Sequence, residues 1–158
     1  QNLGAKQPER AERAVWLTGL YNMAFMGAVM VLFLVFAPWL AALFTENPAT
    51  HAVAVRALRT LSYGYVFYAW GMVLAQAFNG AGDTLTPTWL NFLCFWCLQV
   101  PLAYFLAHRL EFGPDGVFWS VCSAESVLAV AAALLFRRGR WKETRLAADV
   151  PTSGVTGS

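Results

Sequence analysis

Hydrophobic positions in this chain follow neither a strand-like nor a helix-face period; they run on without interruption. Residues 14–45, 60–82, 84–108 and 116–136 form runs of 32, 23, 25 and 21 residues, in which the only Asp, Glu, Lys or Arg is Glu125. About 20 apolar residues at a helical rise of roughly 1.5 Å cross the roughly 30 Å hydrocarbon core of a bilayer. Backbone groups in lipid must pair within their own segment, so each run predicts a helix. A water-soluble bundle would need a polar face on every helix, yet Met26–Phe36 reads MGAVMVLFLVF, apolar on all sides. The predicted fold class is all-α, an integral membrane bundle of four transmembrane helices.

Turn and capping residues set the boundaries. The first span runs from Trp16 to Ala37, with helix onset near Ala11. Pro38 lacks an N–H and predicts a bend or break, and Trp39–Phe44 a short interfacial continuation. Asn47-Pro48 reads as an N-cap followed by proline at the first helical position, opening a second helix whose buried part is Leu61 to Phe78. GAGDTLTP (80–87) is a tight connection, with Thr86-Pro87 expected to cap the third helix; that helix covers Trp89 to Ala107 and is expected to kink at Pro101. FGPDG (112–116) turns the chain into a fourth helix, Val117 to Phe136. Small residues at helical spacing, Gly71 with Ala75 and Ala24 with Ala28, predict close helix approach. The chain thus divides into a cytoplasmic loop and helix start (1–13), a four-helix membrane part (14–142) and a polar tail (143–158) expected to be disordered.

Charge adds orientation. Only 13% of residues are charged, against about 25% in soluble domains, and a net charge of +2 argues against a nucleic acid partner. With four crossings, Lys6, Arg10, Arg13, Arg137, Arg138, Arg140, Lys142 and Arg145 share one side, and Arg56, Arg59 and Arg109 the other. The positive-inside rule then places both ends in the cytoplasm, in a multi-pass protein of the inner (plasma) membrane. Trp16, Trp39, Trp89, Trp119 and Trp141 sit near the run ends, where indoles anchor at the headgroup level. Cys94 and Cys97 form a C-x-x-C spacing inside a span, as Cys122 lies inside another. Hydrocarbon disfavours thiolate, so packing is their expected role and no metal site is read.

Polar groups inside lipid carry the candidate chemistry. Glu125 falls near mid-span, where a lipid-facing charge costs at least about 3 kcal/mol. It is therefore expected to face other helices or a water-filled cavity, beside the small Cys122, Ala129 and Ala132. A carboxyl withdrawn from water suits proton exchange, ion coupling or substrate contact; a protonated side chain bonded across helices is the structural alternative. Tyr65, Tyr68, Gln76, Asn91 and Gln99 are the neutral candidates, with Gln99 two residues before Pro101. Tyrosine faces suit a cationic substrate, and interhelical hydrogen bonding is again the plainer reading. No G-x-x-x-x-G-K-[ST] loop occurs, His51 and His108 stand apart, and no Ser–His–Asp set assembles, so no enzyme and no cofactor are expected.

Several short motifs together resemble the multidrug and toxic compound extrusion (MATE) family. Gln1-Asn2-Leu3-Gly4-Ala5 with Pro8 is similar to that family's G-Q-x-x-G-A cytoplasmic motif, without its first Gly. Asn79-Gly80-Ala81-Gly82-Asp83-Thr84 with Pro87 resembles the connection between its tenth and eleventh helices. Gly113-Pro114, Gly116-Val117-Phe118-Trp119 and Phe136-Arg137-Arg138-Gly139-Arg140-Trp141-Lys142 resemble the two ends of its last helix. The resemblance implies a twelve-helix, two-lobe secondary transporter of which this chain is the last four helices. It implies efflux of cationic or amphipathic drugs by antiport with Na⁺ or H⁺, with the N-terminal lobe, the bilayer and small organic cations as partners. Some Na⁺-coupled members carry an acid in the helix equivalent to 58–79; here that stretch has none and offers Tyr65 and Tyr68 instead. Two rivals remain: a lipid-linked oligosaccharide flippase of the related superfamily, which would want basic residues in its spans, and a four-helix membrane assembly subunit. About eight further spans encoded upstream would favour the transporter.

Overall fold

The computed structural model describes residues 7–142, and every described element is helical. Five helices follow one another: α1 (Pro8–Ala42), α2 (Pro48–Tyr63), α3 (Tyr65–Gly80), α4 (Leu85–Arg109) and α5 (Pro114–Arg137), with a 3₁₀ turn at Arg140–Lys142. The Gln1–Ala5 motif, Lys6 and the tail expected to be disordered lie outside the described residues.

By length and composition, α1, α4 and α5 can each cross a membrane. The remaining crossing is divided: α2 and α3 are 16 residues each, joined at Gly64. The Gly64 N–H bonds to Leu61 O at 3.0 Å, one residue short of the α-helical partner. Thr60 O, left without that partner, accepts instead from the Cys122 thiol of α5 at 3.0 Å. A side chain at Gly64 would press on Leu61 O and Cys122 Sγ at 3.2 and 3.3 Å. The joint is therefore tight against a Cβ at this position.

Helix boundaries differ from expectation where backbone chemistry was misjudged. α1 starts at Pro8, three residues early, because proline at N1 gives up an N–H that has no partner there anyway. The expected break at Pro38 is absent: α1 continues to Ala42, and the ring of His51 lies 3.0 Å from Pro38 O, tying the start of α2 to the end of α1. Between α3 and α4, Gly82 takes φ +87°, Asp83 N–H bonds to Phe78 O and Gly82 N–H to Asn79 O, a Schellman ending. Asp83, rather than Thr86, caps α4: its carboxylate accepts from Thr86 N–H at 3.0 Å and Thr86 Oγ1 at 2.6 Å. In α4 the stretches Phe92–Gln99 and Phe105–Arg109 adopt the wide i→i+5 pitch, on either side of the turn that holds Pro101. Asn47 caps α2 as expected, accepting from Ala49 and Thr50 N–H at 2.9 and 3.2 Å.

α5 is the central helix, touched by α2, α3 and α4, while α1 lies across α2 and α3. Its inner face, Ser120, Cys122, Ala124, Leu128, Ala129, Ala132 and Phe136, is buried. A Cβ added to Gly71 would stand 3.9 Å from Ala129 Cα, so α3 and α5 approach closely at this small residue, as expected. Ala24 and Ala28 are exposed; the close approach of α1 is at Gly19, where a Cβ would overlap the Trp70 ring. Asn22 Nδ2 donates to Ala69 O at 3.1 Å, a second link between α1 and α3.

One end of the bundle is closed by aromatic rings. Phe136 stacks on Trp141 at 4.5 Å and meets Trp16 and Phe78 edge-on at 5.9 and 5.8 Å; Trp16 in turn meets Trp70 at 5.2 Å. The Trp141 indole donates to Phe136 O at 2.9 Å and the residue is 2% exposed. Trp141 is thus a core residue, a correction to its expected anchoring role; Trp16 is half-buried and packs against that core, and Trp39, Trp89 and Trp119 are exposed.

At the opposite end, α5 begins against the end of α4. A Cβ on Gly116 would stand 2.7 Å from Ala107 N and Leu106 C, both backbone atoms that cannot step aside. Gly116→Ala is expected to cost about 1–3 kcal/mol of overpacking. The check is unfolding of the intact protein in detergent; an unchanged transition would contradict the packing.

Candidate functional site: a cleft around Glu125

The Gly64 joint and the small Cys122 leave space between α1, α2, α3 and α5. A cleft of about 420 Å³ lies there, lined by Met26, Leu61, Gly64, Tyr65, Tyr68, Val121, Cys122 and Glu125. The spacings explain the convergence. Positions 61, 64, 65 and 68 fall on one face across the joint, and 121, 122 and 125 on one face of α5. Tyr65 is held from α1 by Phe33, whose ring stands edge-on at 5.8 Å.

Glu125 is half-buried and makes no ion pair among the described residues; Arg56 Nε pairs with Asp115 at 3.1 Å, near the start of α5. Nearby hydroxyls are occupied along their own helix: Ser126 Oγ donates to Cys122 O at 2.7 Å and Ser123 Oγ to Trp119 O at 2.9 Å. A carboxyl in a mainly apolar cleft, with two phenols on the facing helix, can take a proton, a metal cation or an organic cation. The aromatic faces add cation–π attraction for the last, and the volume is of the size that holds small organic ligands.

Of the six candidate residues, Tyr65, Tyr68 and Glu125 share this cleft. Gln76 is exposed on α3, farther along the helix. Asn91 borders a crevice of about 10 Å³ with Gly71, Ala75, Pro87, Leu90, Leu128 and Ala132, at the limit for a single water. Gln99 stands apart in the wide-pitched part of α4, its Oε1 buried without a hydrogen-bond partner. Met26 and Cys122 line the cleft and were not singled out as site residues. The Cys122–Thr60 link could be found only by recognising that Gly64 would interrupt its helix. Cys94 is buried and Cys97 exposed, so the C-x-x-C pair does not point to one place.

A bundle of helices long and apolar enough to cross a membrane, with a cleft that holds one acidic group, is the build of a multi-pass membrane protein. The MatE family model matches residues 1–105, and the chain belongs to that family. A probable multidrug resistance protein NorM of Acinetobacter baylyi is 28% identical over 127 residues, 80% of this chain and 28% of that protein. A probable multidrug resistance protein NorM of Caulobacter vibrioides is 29% identical over 150 residues, 92% of this chain and 31% of that protein. The solved structure of the MATE transporter ClbM in complex with Rb⁺ superposes with a TM-score of 0.84 at 26% identity, over 92% of this chain and 35% of that one. The chain therefore spans roughly a third of the length of these relatives.

Proposed function

We propose that this chain is the end of the C-terminal lobe of a secondary exporter that moves cationic or amphipathic organic compounds out of the cell in exchange for Na⁺ or H⁺. The observation that carries this reading is the convergence of Glu125, Tyr65 and Tyr68 on one cleft. The carboxylate balances a positive charge, the phenol rings hold its apolar body, and the coupling ion competes for the same carboxylate. Coupling needs no cofactor and no covalent step, so transport rather than enzymatic chemistry is assigned. Both ends of the chain lie in the cytoplasm, as the excess of Lys and Arg at that end supports. The remaining helices, on the missing N-terminal side, supply the opposing lobe, and rocking between lobes exposes the cleft alternately to the two sides. A flippase for phosphate-bearing lipid sugars is less well supported, because the cleft offers a carboxylate and no cation.

The full-length transporter, reconstituted in vesicles loaded with ethidium, is expected to release the dye when a Na⁺ or proton gradient is imposed and to retain it without one. Gradient-independent release at the same rate would contradict antiport.

A further inference from the structure

Gly19, Asn22, Met23, Met26 and Phe33 fall on one face of α1, the last four lying three, four, seven and fourteen positions after the first. Four of them are held against α3. The Trp70 ring fills the space that a Cβ on Gly19 would need, and Asn22 Nδ2 donates to Ala69 O at 3.1 Å. The Trp70 indole donates to Met23 Sδ at 3.0 Å, and Phe33 meets Tyr65 edge-on at 5.8 Å. Met26 lies between these anchors and lines the Glu125 cleft instead. α1 is thus fixed on both sides of Met26, and the backbone of this wall cannot shift without breaking those contacts. The facing walls are held as well, Cys122 by its bond to Thr60 O and Tyr65 by Phe33. What can change shape is the Met26 side chain. It is unbranched, turns about three bonds and carries a polarizable sulfur that packs well on aromatic rings.

We propose that Met26 is the adjustable wall of the cleft and sets which shapes of organic cation it accepts. The proposal rests on the reading of this cleft as the cation site. Glu125 meets the positive charge whatever body carries it, so it cannot distinguish a flat cation from a globular one. Met26 can: a flat aromatic cation lies under its thioether, whereas a globular one fits only with the side chain turned aside.

The test is equilibrium dialysis of the full-length protein in detergent, with ethidium as the flat probe and tetraphenylphosphonium as the globular one. In the unmodified protein the two are expected to displace each other; independent binding of both would overturn the proposal without any variant having to fold. Met26→Ala is expected to weaken ethidium by about two- to tenfold, the worth of a sulfur–aromatic contact, and to leave tetraphenylphosphonium bound at least as tightly. Met26→Phe is expected to weaken tetraphenylphosphonium by about tenfold through overpacking and to spare ethidium. Val35→Ala, on the opposite face of α1 and 63% exposed, is expected to move neither. Glu125→Gln is expected to weaken both cations alike. If it does so while the ratio of the two affinities ignores Met26, the proposal fails and the cation site stands. If Glu125→Gln weakens neither, the cation site itself is wrong and the proposal falls with it.

Discussion

Glu125→Gln in the full-length transporter is expected to flatten the pH dependence of drug–cation exchange while leaving the amount of folded protein unchanged. The carboxyl makes no ion pair among the described residues, so its replacement by an amide of the same shape breaks no such link. On the proposed function, what it removes is the charge for which an organic cation and a coupling ion compete. The same reading expects that, in the unmodified protein, lowering the pH neutralises the carboxylate and weakens cation binding, so that affinity falls with falling pH. Typical coupling between two ligands amounts to about 5- to 150-fold in affinity, and that factor is what the variant should lose. Exchange that keeps its full pH profile in the variant would place the coupling group elsewhere. Loss of folded protein would mean that Glu125 is a structural hydrogen-bonding group.

The second large effect is on stability. Phe136 is fully buried and touches three other rings: stacked on Trp141 and edge-on to Trp16 and Phe78. Phe136→Ala would open a cavity where α1, α3, α5 and the Arg140–Lys142 turn meet. Phe→Ala in water-soluble cores costs about 3–5 kcal/mol, part of which is transfer from water. Between helices in lipid the packing share dominates, so about 2–3 kcal/mol is expected. Reversible unfolding in mixed micelles measures it. Leu134→Ala, on the exposed face two residues earlier, is the comparison and should change stability by less than about 0.5 kcal/mol. Equal losses in the two variants would contradict an aromatic core at this end.

The class of fold was legible because the bilayer acts on composition over whole runs, and uninterrupted apolar runs carry one meaning. The turns were legible too, since Asn47 and the Gly113-Pro114 step sit where backbone chemistry needs them. Individual backbone events were less so. Pro38 was expected to bend or break a helix, and the helix runs on through it unbroken, because a proline costs one intrahelical bond and flanking packing carries the helix past it. Gly64 was passed over among its apolar neighbours, yet it divides the second crossing; the reason lies across the interface, where Cys122 takes the carbonyl that the break frees. The same blindness to partners affected Trp141, whose position near a run end fits anchoring until the rings around it are seen. For the cleft, type and spacing singled out Glu125, Tyr65 and Tyr68, but only the packing of α1, α2, α3 and α5 separates them from Gln76, Asn91 and Gln99.

The account depends on water and organic cations reaching position 125. In a full-length protein carrying Cys94→Ala, Cys97→Ala, Cys122→Ser and Val121→Cys, with Glu125 kept, the new thiol in the cleft wall can be challenged with a charged, membrane-impermeant methanethiosulfonate. Labelling is expected, and a cation such as tetraphenylphosphonium should slow it. Reaction only with a lipid-soluble maleimide, or labelling that no organic cation slows, would contradict a substrate cleft at Glu125.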